Sequence, residues 1–385
     1  MAKRGFFRRG LALALTVFLL GGCGAKQGTD SAGAEKTPEQ METEWIEETL
    51  ADMTLEEKVG QMLMMDFRNL SDGTPMTELS EDAAEQIEEY HLGGVILFAE
   101  NLDTAKQTKA LTAQMQEAAD LPLWIGIDEE GGIVSRLDKS NIPHEQIPSA
   151  ALMEGDTAQA EEAGRTIGRE LRELGVNVDF APVADIYTNP ENTVIGERAF
   201  GTDAQTVSDM ASAFAAGLAE EGVLAAAKHF PGHGDTATDS HYGVAMAEQT
   251  LEELRTVEFV PFQRLIDEGI PFVMVGHITT PNATKDGLPA SLSAETIGLL
   301  RQELGFDGIV ITDAMNMGAI TEAFSTGESA VMAVKAGVDM VLMPADLPAA
   351  YEGLLAAVSD GEITQKRLDE SVRRILEAKY DAGLL

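Results

Sequence analysis

Short runs of consecutive apolar residues punctuate this chain, and between them lie longer stretches in which apolar positions recur three or four apart. The runs fall at 61–66, 94–98, 123–128, 176–181, 223–229, 272–277, 308–313 and 340–344. A strand covered on both faces reads as such a run, and a helix with one buried face reads as the wider spacing. Helices are predicted over 104–119, 158–174, 203–221, 251–267 and 322–336. Thr54-Leu55-Glu56-Glu57 has the form of a capping box that opens one more helix ahead of the first run. Strands alternating with helices specify an α/β protein with a parallel sheet. Eight runs point to a (β/α)8 TIM-type barrel occupying residues 41–385 as one domain, with the first and fourth strands weakly marked. A doubly wound open sheet is the other arrangement with this pattern.

The N-terminus departs from that alternation. Lys3, Arg4, Arg8 and Arg9 precede an apolar run at 11–20, which is shorter than the roughly 20 residues a membrane span needs. It reads as a targeting segment. The run ends in Leu20-Gly21-Gly22-Cys23, which resembles the lipobox of bacterial lipoproteins. That resemblance implies a signal peptide over 1–22, a lipid on Cys23, and an extracytoplasmic protein anchored to the cell membrane. Cys23 is the only cysteine, so no disulfide can form within the chain. Residues 24–40 are small and polar without an apolar period, and read as a flexible tether.

The formal charge is −38, and the first 22 residues carry four basic and no acidic side chains, so the remainder carries −42. Such a surface repels nucleic acid and anionic lipid headgroups, which excludes nucleic acid as a partner and leaves membrane attachment to the acyl anchor.

Titratable residues recur where the apolar runs end: Asp66, Asp128, Asp185, Lys228-His229, His277 and Asp313. In a barrel those ends share one rim, where catalysis is found. The densest segment is 228–241, which holds three of the six histidines. Asp239 and His241 are two apart and face the same way in an extended segment. They read either as a carboxylate orienting an acid/base imidazole or as a hydrogen-bonded loop pair. An aspartate nucleophile with a separate acid/base is the minimal equipment of a retaining glycosidase. His229, His233 and His241 do not follow a helix-borne zinc spacing, and Pro231 with Gly232 and Gly234 opposes a helix there, so no metal is expected. No dinucleotide or phosphate-loop fingerprint occurs, and no cofactor is expected. The glycines of this segment leave it few anchors, and a mobile loop is expected.

The segment from Lys228-His229-Phe230-Pro231-Gly232-His233-Gly234-Asp235-Thr236 to Asp239-Ser240-His241 resembles the signature of glycoside hydrolase family 3, in its β-N-acetylglucosaminidase branch. Asp128-Glu129-Glu130-Gly131-Gly132 with Arg136, Ile195-Gly196-Glu197-Arg198-Ala199-Phe200-Gly201 and Thr312-Asp313-Ala314 are similar to further family segments. Ile133 departs from the pattern, since many relatives carry arginine there. The resemblance implies that Asp313 is the nucleophile, His241 the acid/base and Asp239 its partner. It further implies that Asp128, Arg136, Arg198, Lys228 and His229 hold N-acetylglucosamine, with His233 and Asp235 in support. The activity implied is removal of a terminal, non-reducing β-linked N-acetylglucosamine, as in peptidoglycan fragments; a monomer is expected. Phosphorolysis, another β-glycosidase specificity and a non-catalytic sugar-binding protein are the competing readings. The retained Asp313, Asp239 and His241 oppose the last.

Overall fold

The computed structural model describes residues 36–236 and 245–385. Ten strands form among the described residues: β1 (Leu63–Asp66), β2 (Gly94–Ile96), β3 (Trp124–Ile127), β4 (Val178–Asp179), β5 (Leu224–Phe230), β6 (Ala245–Met246), β7 (Phe272–Val275), β8 (Ile278–Thr279), β9 (Ile309–Thr312) and β10 (Val341–Leu342). Eight make one parallel sheet in the order β10-β1-β2-β3-β4-β5-β7-β9. A parallel bridge between Ile311 and Met340, and the Thr312 amide donating to Met340 O at 3.1 Å, join the two ends. The sheet is therefore the expected (β/α)8 barrel. β6 and β8 pair separately beside its mouth.

Side chains fill the barrel. Gly126 in β3 makes room for them: a β-carbon there would lie 2.6 Å from Met64 Cε and 2.9 Å from Phe180 Cε2. Trp124 at the start of β3 meets Phe272 at the start of β7 edge to face, with ring centroids 5.4 Å apart. The C-terminal helix Gln365–Asp381 closes this lower end, its buried Lys379 Nζ donating to Gln61 Oε1 at 2.7 Å. Under β9 and β10, the buried Asp339 accepts from Arg301, Arg374 (3.1 Å) and Ser371 (2.6 Å).

Most expected helices appear, as Ala105–Glu117, Thr157–Glu173 and Ala204–Glu220. The capping box at Thr54 is present, with the Thr54 amide donating to Glu57 Oε2 at 2.6 Å. Two expectations differ. The stretch 251–267 forms two helices, Leu251–Thr256 and Phe259–Asp267, separated at Val257. Pro261 has no N–H to give the Val257 carbonyl four residues back, so the helix cannot run through. The stretch 322–336 forms a helix only over Thr326–Ala336, because the amides of Ala323 and Phe324 both fold back onto Ile320 O and Ser325 is extended. At the N-terminus, a helix Pro38–Asp52 begins inside the stretch read as tether, capped by Thr37 and Gln40. The signal segment, Cys23 and the tether up to 35 lie outside the described residues.

Candidate active site

The titratable residues picked out at the run ends meet at the C-terminal rim. Asp66 ends β1, Asp128 follows β3, Lys228 and His229 lie near the end of β5, His277 follows β7 by two residues, and Asp313 follows β9 directly. A strand delivers its last side chain to the same height as its neighbours', so residues far apart in sequence converge there.

One half of the rim is a charge network. Lys228 Nζ lies 2.7 Å from Asp128 Oδ1 and 2.6 Å from Glu130 Oε1. Arg136 Nη2 donates to Asp128 Oδ2 at 3.2 Å, and Arg198 grips Glu130 with Nε and Nη2, each at 2.8 Å. Asp128, Arg136, Arg198 and Lys228 are thus brought together. Burial by itself would raise the Asp128 carboxyl, but Lys228 and Arg136 outweigh it and hold it below its ordinary range. Burial opposes ionisation of Glu130 too, yet Arg198 and Lys228 bring it down to about 2. Lys228 is raised despite its burial, through Asp128 and Glu130. All three are ionised at neutral pH.

The loop after β3 owes its shape to its sequence. Gly131 and Gly132 have φ of +81° and +55°, and a β-carbon on Gly132 would lie 2.0 Å from Ser149 Oγ. The turn brings the amides of Arg136 and Leu137 onto Glu129 Oε2 at 2.7 and 3.1 Å. Burial pushes Glu129 up to about 7, and Asp179, which accepts the Glu129 amide at 2.9 Å, is raised well above its ordinary value by its burial. Arg136 also lies over the Phe98 ring, 5.2 Å from its centroid, and Arg68 stacks on the same ring at 3.4 Å while pairing with Asp66 at 2.7 Å. Ile133, the departure from the family pattern, is 59% exposed at this edge.

His229 is held from behind. Its Nδ1 lies 2.7 Å from Asp185 Oδ2, and Asp185 Oδ1 accepts the amides of His229 (3.2 Å) and His233 (2.7 Å). Burial opposes ionisation of Asp185, but the two imidazoles and these amides keep it below its usual range. Burial and the neighbouring His229 push the His233 imidazole down.

Asp313 stands apart from the cation network. Its amide donates to Val275 O at 2.9 Å, and its Oδ1 accepts the Ala314 amide at 2.7 Å. Burial raises its carboxyl, and His277, His229 and the Ala314 amide outweigh that and leave it lowered. His277 is itself oriented, with Nδ1 2.8 Å from Ser291 Oγ and Nε2 3.0 Å from Ala314 O. An ionised carboxylate with no cation bonded to it among the described residues, on a rim of donors, is equipped to attack an electrophilic carbon.

Asp239 and His241 lie outside the described residues, which stop at Thr236 and resume at Ala245. The start of their segment is better anchored than its glycines led us to expect. Asn192 Nδ2 donates to His233 O at 2.7 Å, Asn189 Nδ2 to Asp235 O at 3.1 Å, and Thr188 Oγ1 to Asp235 Oδ1 at 3.1 Å. Gly234 packs so closely on Ile186 that a β-carbon would lie 1.8 Å from its carbonyl oxygen. Sequence reasoning did not single out Glu130, Glu129 or Asp179 for the site. Glu130 had a signal: three consecutive carboxylates after a strand require cations to stand together.

The profile of the Glycosyl hydrolase family 3 N terminal domain matches residues 54–378. Beta-hexosaminidase LpqI of Mycobacterium tuberculosis is 36% identical over 332 residues, covering 84% of this chain and 82% of that protein. Beta-hexosaminidase A of Pseudoalteromonas piscicida is 34% identical over 367 residues, 85% of this chain, which spans only 61% of that enzyme. Among solved structures, a glycoside hydrolase family 3 β-N-acetylglucosaminidase from Paenibacillus sp. str. FPU-7 superposes with a TM-score of 0.82 at 41% identity, over 86% of this chain and 63% of that one. The β-glucoside phosphorylase BglX, bound to 2FGlc, superposes with a TM-score of 0.81 at 28% identity, over 90% of this chain and 62% of that one.

Proposed function

From the premise that this chain belongs to glycoside hydrolase family 3, we propose that it is a retaining exo-β-N-acetylglucosaminidase. The observation that carries the reading is Asp313, a carboxylate kept ionised by His277 and His229 on the same rim as the Asp128–Lys228–Arg136 network. Asp128 accepts hydrogens from the sugar's hydroxyls, while Lys228, Arg136 and Arg198 donate to hydroxyl and acetamido oxygens, and His229 completes that wall. An Asp313 oxygen attacks the anomeric carbon, the bond to the leaving oxygen breaks, and His241 supplies that oxygen with a proton. Water then attacks the glycosyl-aspartate, His241 takes back a proton, and the sugar leaves with its original configuration. Asp239 favours the protonated imidazole.

The named relatives, two beta-hexosaminidases and a β-N-acetylglucosaminidase, support a terminal β-linked N-acetylglucosamine as the substrate; peptidoglycan fragments are the source this reading takes. The basic and apolar N-terminus with Cys23 supports a signal peptide over 1–22, a lipidated tether and an extracytoplasmic, membrane-anchored protein. Likeness to a β-glucoside phosphorylase favours a second reading, in which phosphate replaces water as acceptor.

One assay tests these readings. An aryl β-N-acetylglucosaminide is incubated with the enzyme and with Asp313→Ala, with and without phosphate. Free N-acetylglucosamine, lost by at least ~10⁴-fold in the variant, is expected. Unchanged turnover in Asp313→Ala ends the proposal, and a sugar 1-phosphate as product selects the phosphorylase.

A further inference from the structure

Glu258 is one of the buried carboxyls at the edge of the site that the mechanism leaves unused. Glu258 precedes the helix Phe259–Asp267 and is 3% exposed. The break at Val257 turns its side chain inward, against the turn formed by residues 229–233. A β-carbon placed on Gly232 would lie 3.0 Å from both Glu258 Cβ and Glu258 Oε2. Oε2 is shut off from solvent and has no hydrogen-bond partner among the described residues. The same turn is closed by the Gly232 amide donating to His229 O at 2.8 Å, and is tied to Asp185 through the His229 and His233 amides. It is thus flanked by two carboxyls of opposite character. Asp185 is ionised and supplied with donors, whereas Glu258 has no donor on Oε2 to receive a charge.

We propose that Glu258 is a positioning residue for the reaction, holding the 229–233 turn, and with it His229, in place only while its carboxyl is uncharged. This inference rests on the glycosidase reading of the same rim. Among the described residues, the charged groups acting on Glu258 are Asp185 from the segment after β4 and Asp235 from the loop, while His229 and His233 belong to the turn it packs against, at and beyond the end of β5. Arg255 on the preceding helix is turned away to Glu303. Burial first, then Asp185 and Asp235, push the Glu258 carboxyl up to about 8. Once ionised, it sets a further negative charge against those two aspartates with no cation paired to it among the described residues. The turn then shifts, and His229 loses its alignment on Asp185.

The test is the pH dependence of kcat/KM for an aryl β-N-acetylglucosaminide between pH 6 and 10. In the wild type kcat/KM falls above pH 8, approaching about tenfold per pH unit. Glu258→Gln, which keeps the shape of the neutral acid, matches the wild type within about threefold at pH 6.5 and retains activity at pH 9. An identical alkaline fall in both proteins, or a flat wild-type profile to pH 9.5, overturns the proposal. If Glu258→Gln does not fold, Asp235→Asn serves: with one facing charge removed, the wild-type fall moves to lower pH, and an unmoved fall overturns it. Melting temperature supplies a readout independent of turnover. A carboxyl whose folded-state pKa is raised from the unfolded value stabilises the fold at low pH and loses that contribution as pH rises to about 8. The gap in melting temperature between wild type and Glu258→Gln therefore changes between pH 5 and 8 and is constant above; a gap constant throughout overturns the inference. A chain that cleaves no glycoside at any pH overturns the glycosidase reading instead, and leaves the melting curves to decide whether Glu258 is held uncharged.

Discussion

Replacing Lys228 by methionine removes the cation shared by Asp128 and Glu130 while keeping most of the side-chain volume. Deleting one partner of a buried ion pair costs about 3–5 kcal/mol. Here each carboxylate keeps an arginine, Arg136 for Asp128 and Arg198 for Glu130, so the cost sits near the lower end, about 3 kcal/mol. In domains of this general size that lowers the melting temperature by several degrees. The substrate also loses a charged donor worth about 1.5–3 kcal/mol, or roughly 10–150-fold in kcat/KM. The pH dependence carries the sign. Burial raises the Asp128 carboxyl, and Lys228 is the largest influence holding it below its ordinary range. Without Lys228 its pKa rises, so a larger fraction is protonated in weak acid, and protonated Asp128 accepts fewer sugar hydrogens. The loss of kcat/KM in Lys228→Met is therefore deeper at pH 5 than at pH 7.5, measured on an aryl β-N-acetylglucosaminide beside thermal melts. A variant that melts lower but keeps wild-type kcat/KM at both pH values would refute the assignment of Lys228 to substrate, leaving it a purely structural cation.

Two further outcomes concern the lower end of the barrel. Burial pushes the Lys379 ammonium down to about 7, against about 10.4 in an unfolded chain, so the unfolded state binds the extra proton between those values and Lys379 adds stability as pH rises through that window. Denaturant titrations at pH 7 and pH 9 are expected to show wild type gaining roughly 2–3 kcal/mol relative to Lys379→Met, and an equal change in both proteins would contradict this. Asp339→Ala strands Arg301, Arg367 and Arg374 around an empty site and is expected to destabilise by about 3–5 kcal/mol in urea, while the folded fraction keeps its kcat. A lower kcat per folded molecule would instead tie Asp339 to the rim.

The eight strands, the capping box at Thr54 and the rim positions of Asp128, Lys228, His229 and Asp313 were legible in the chain, because apolar runs and the residues that end them are local features. The split at Val257 was equally local, written in Pro261, and a period-based reading passed over it. Other features depended on distance in sequence. Glu130 joins the charge network of the rim only when Arg198, 68 residues on, folds back onto it. Asp185 is one of the titratable residues after a run by its sequence and an anchor for His229 and His233 only once β4 and β5 are neighbours.

Glu258 shows the division most clearly. In sequence it is one acidic residue among many on a chain of charge −38, indistinguishable from a solvated side chain. Packing against Gly232 removes it from water and sets it facing Asp185 and Asp235, and that alone changes its protonation and its role. The amino-acid order determined which segments become strands and which side chains end them, since those depend on neighbours a few residues away. The closing of the barrel decided which charges are paired, which are buried and which remain reactive, since electrostatic energy depends on distance in space and on the water excluded between groups.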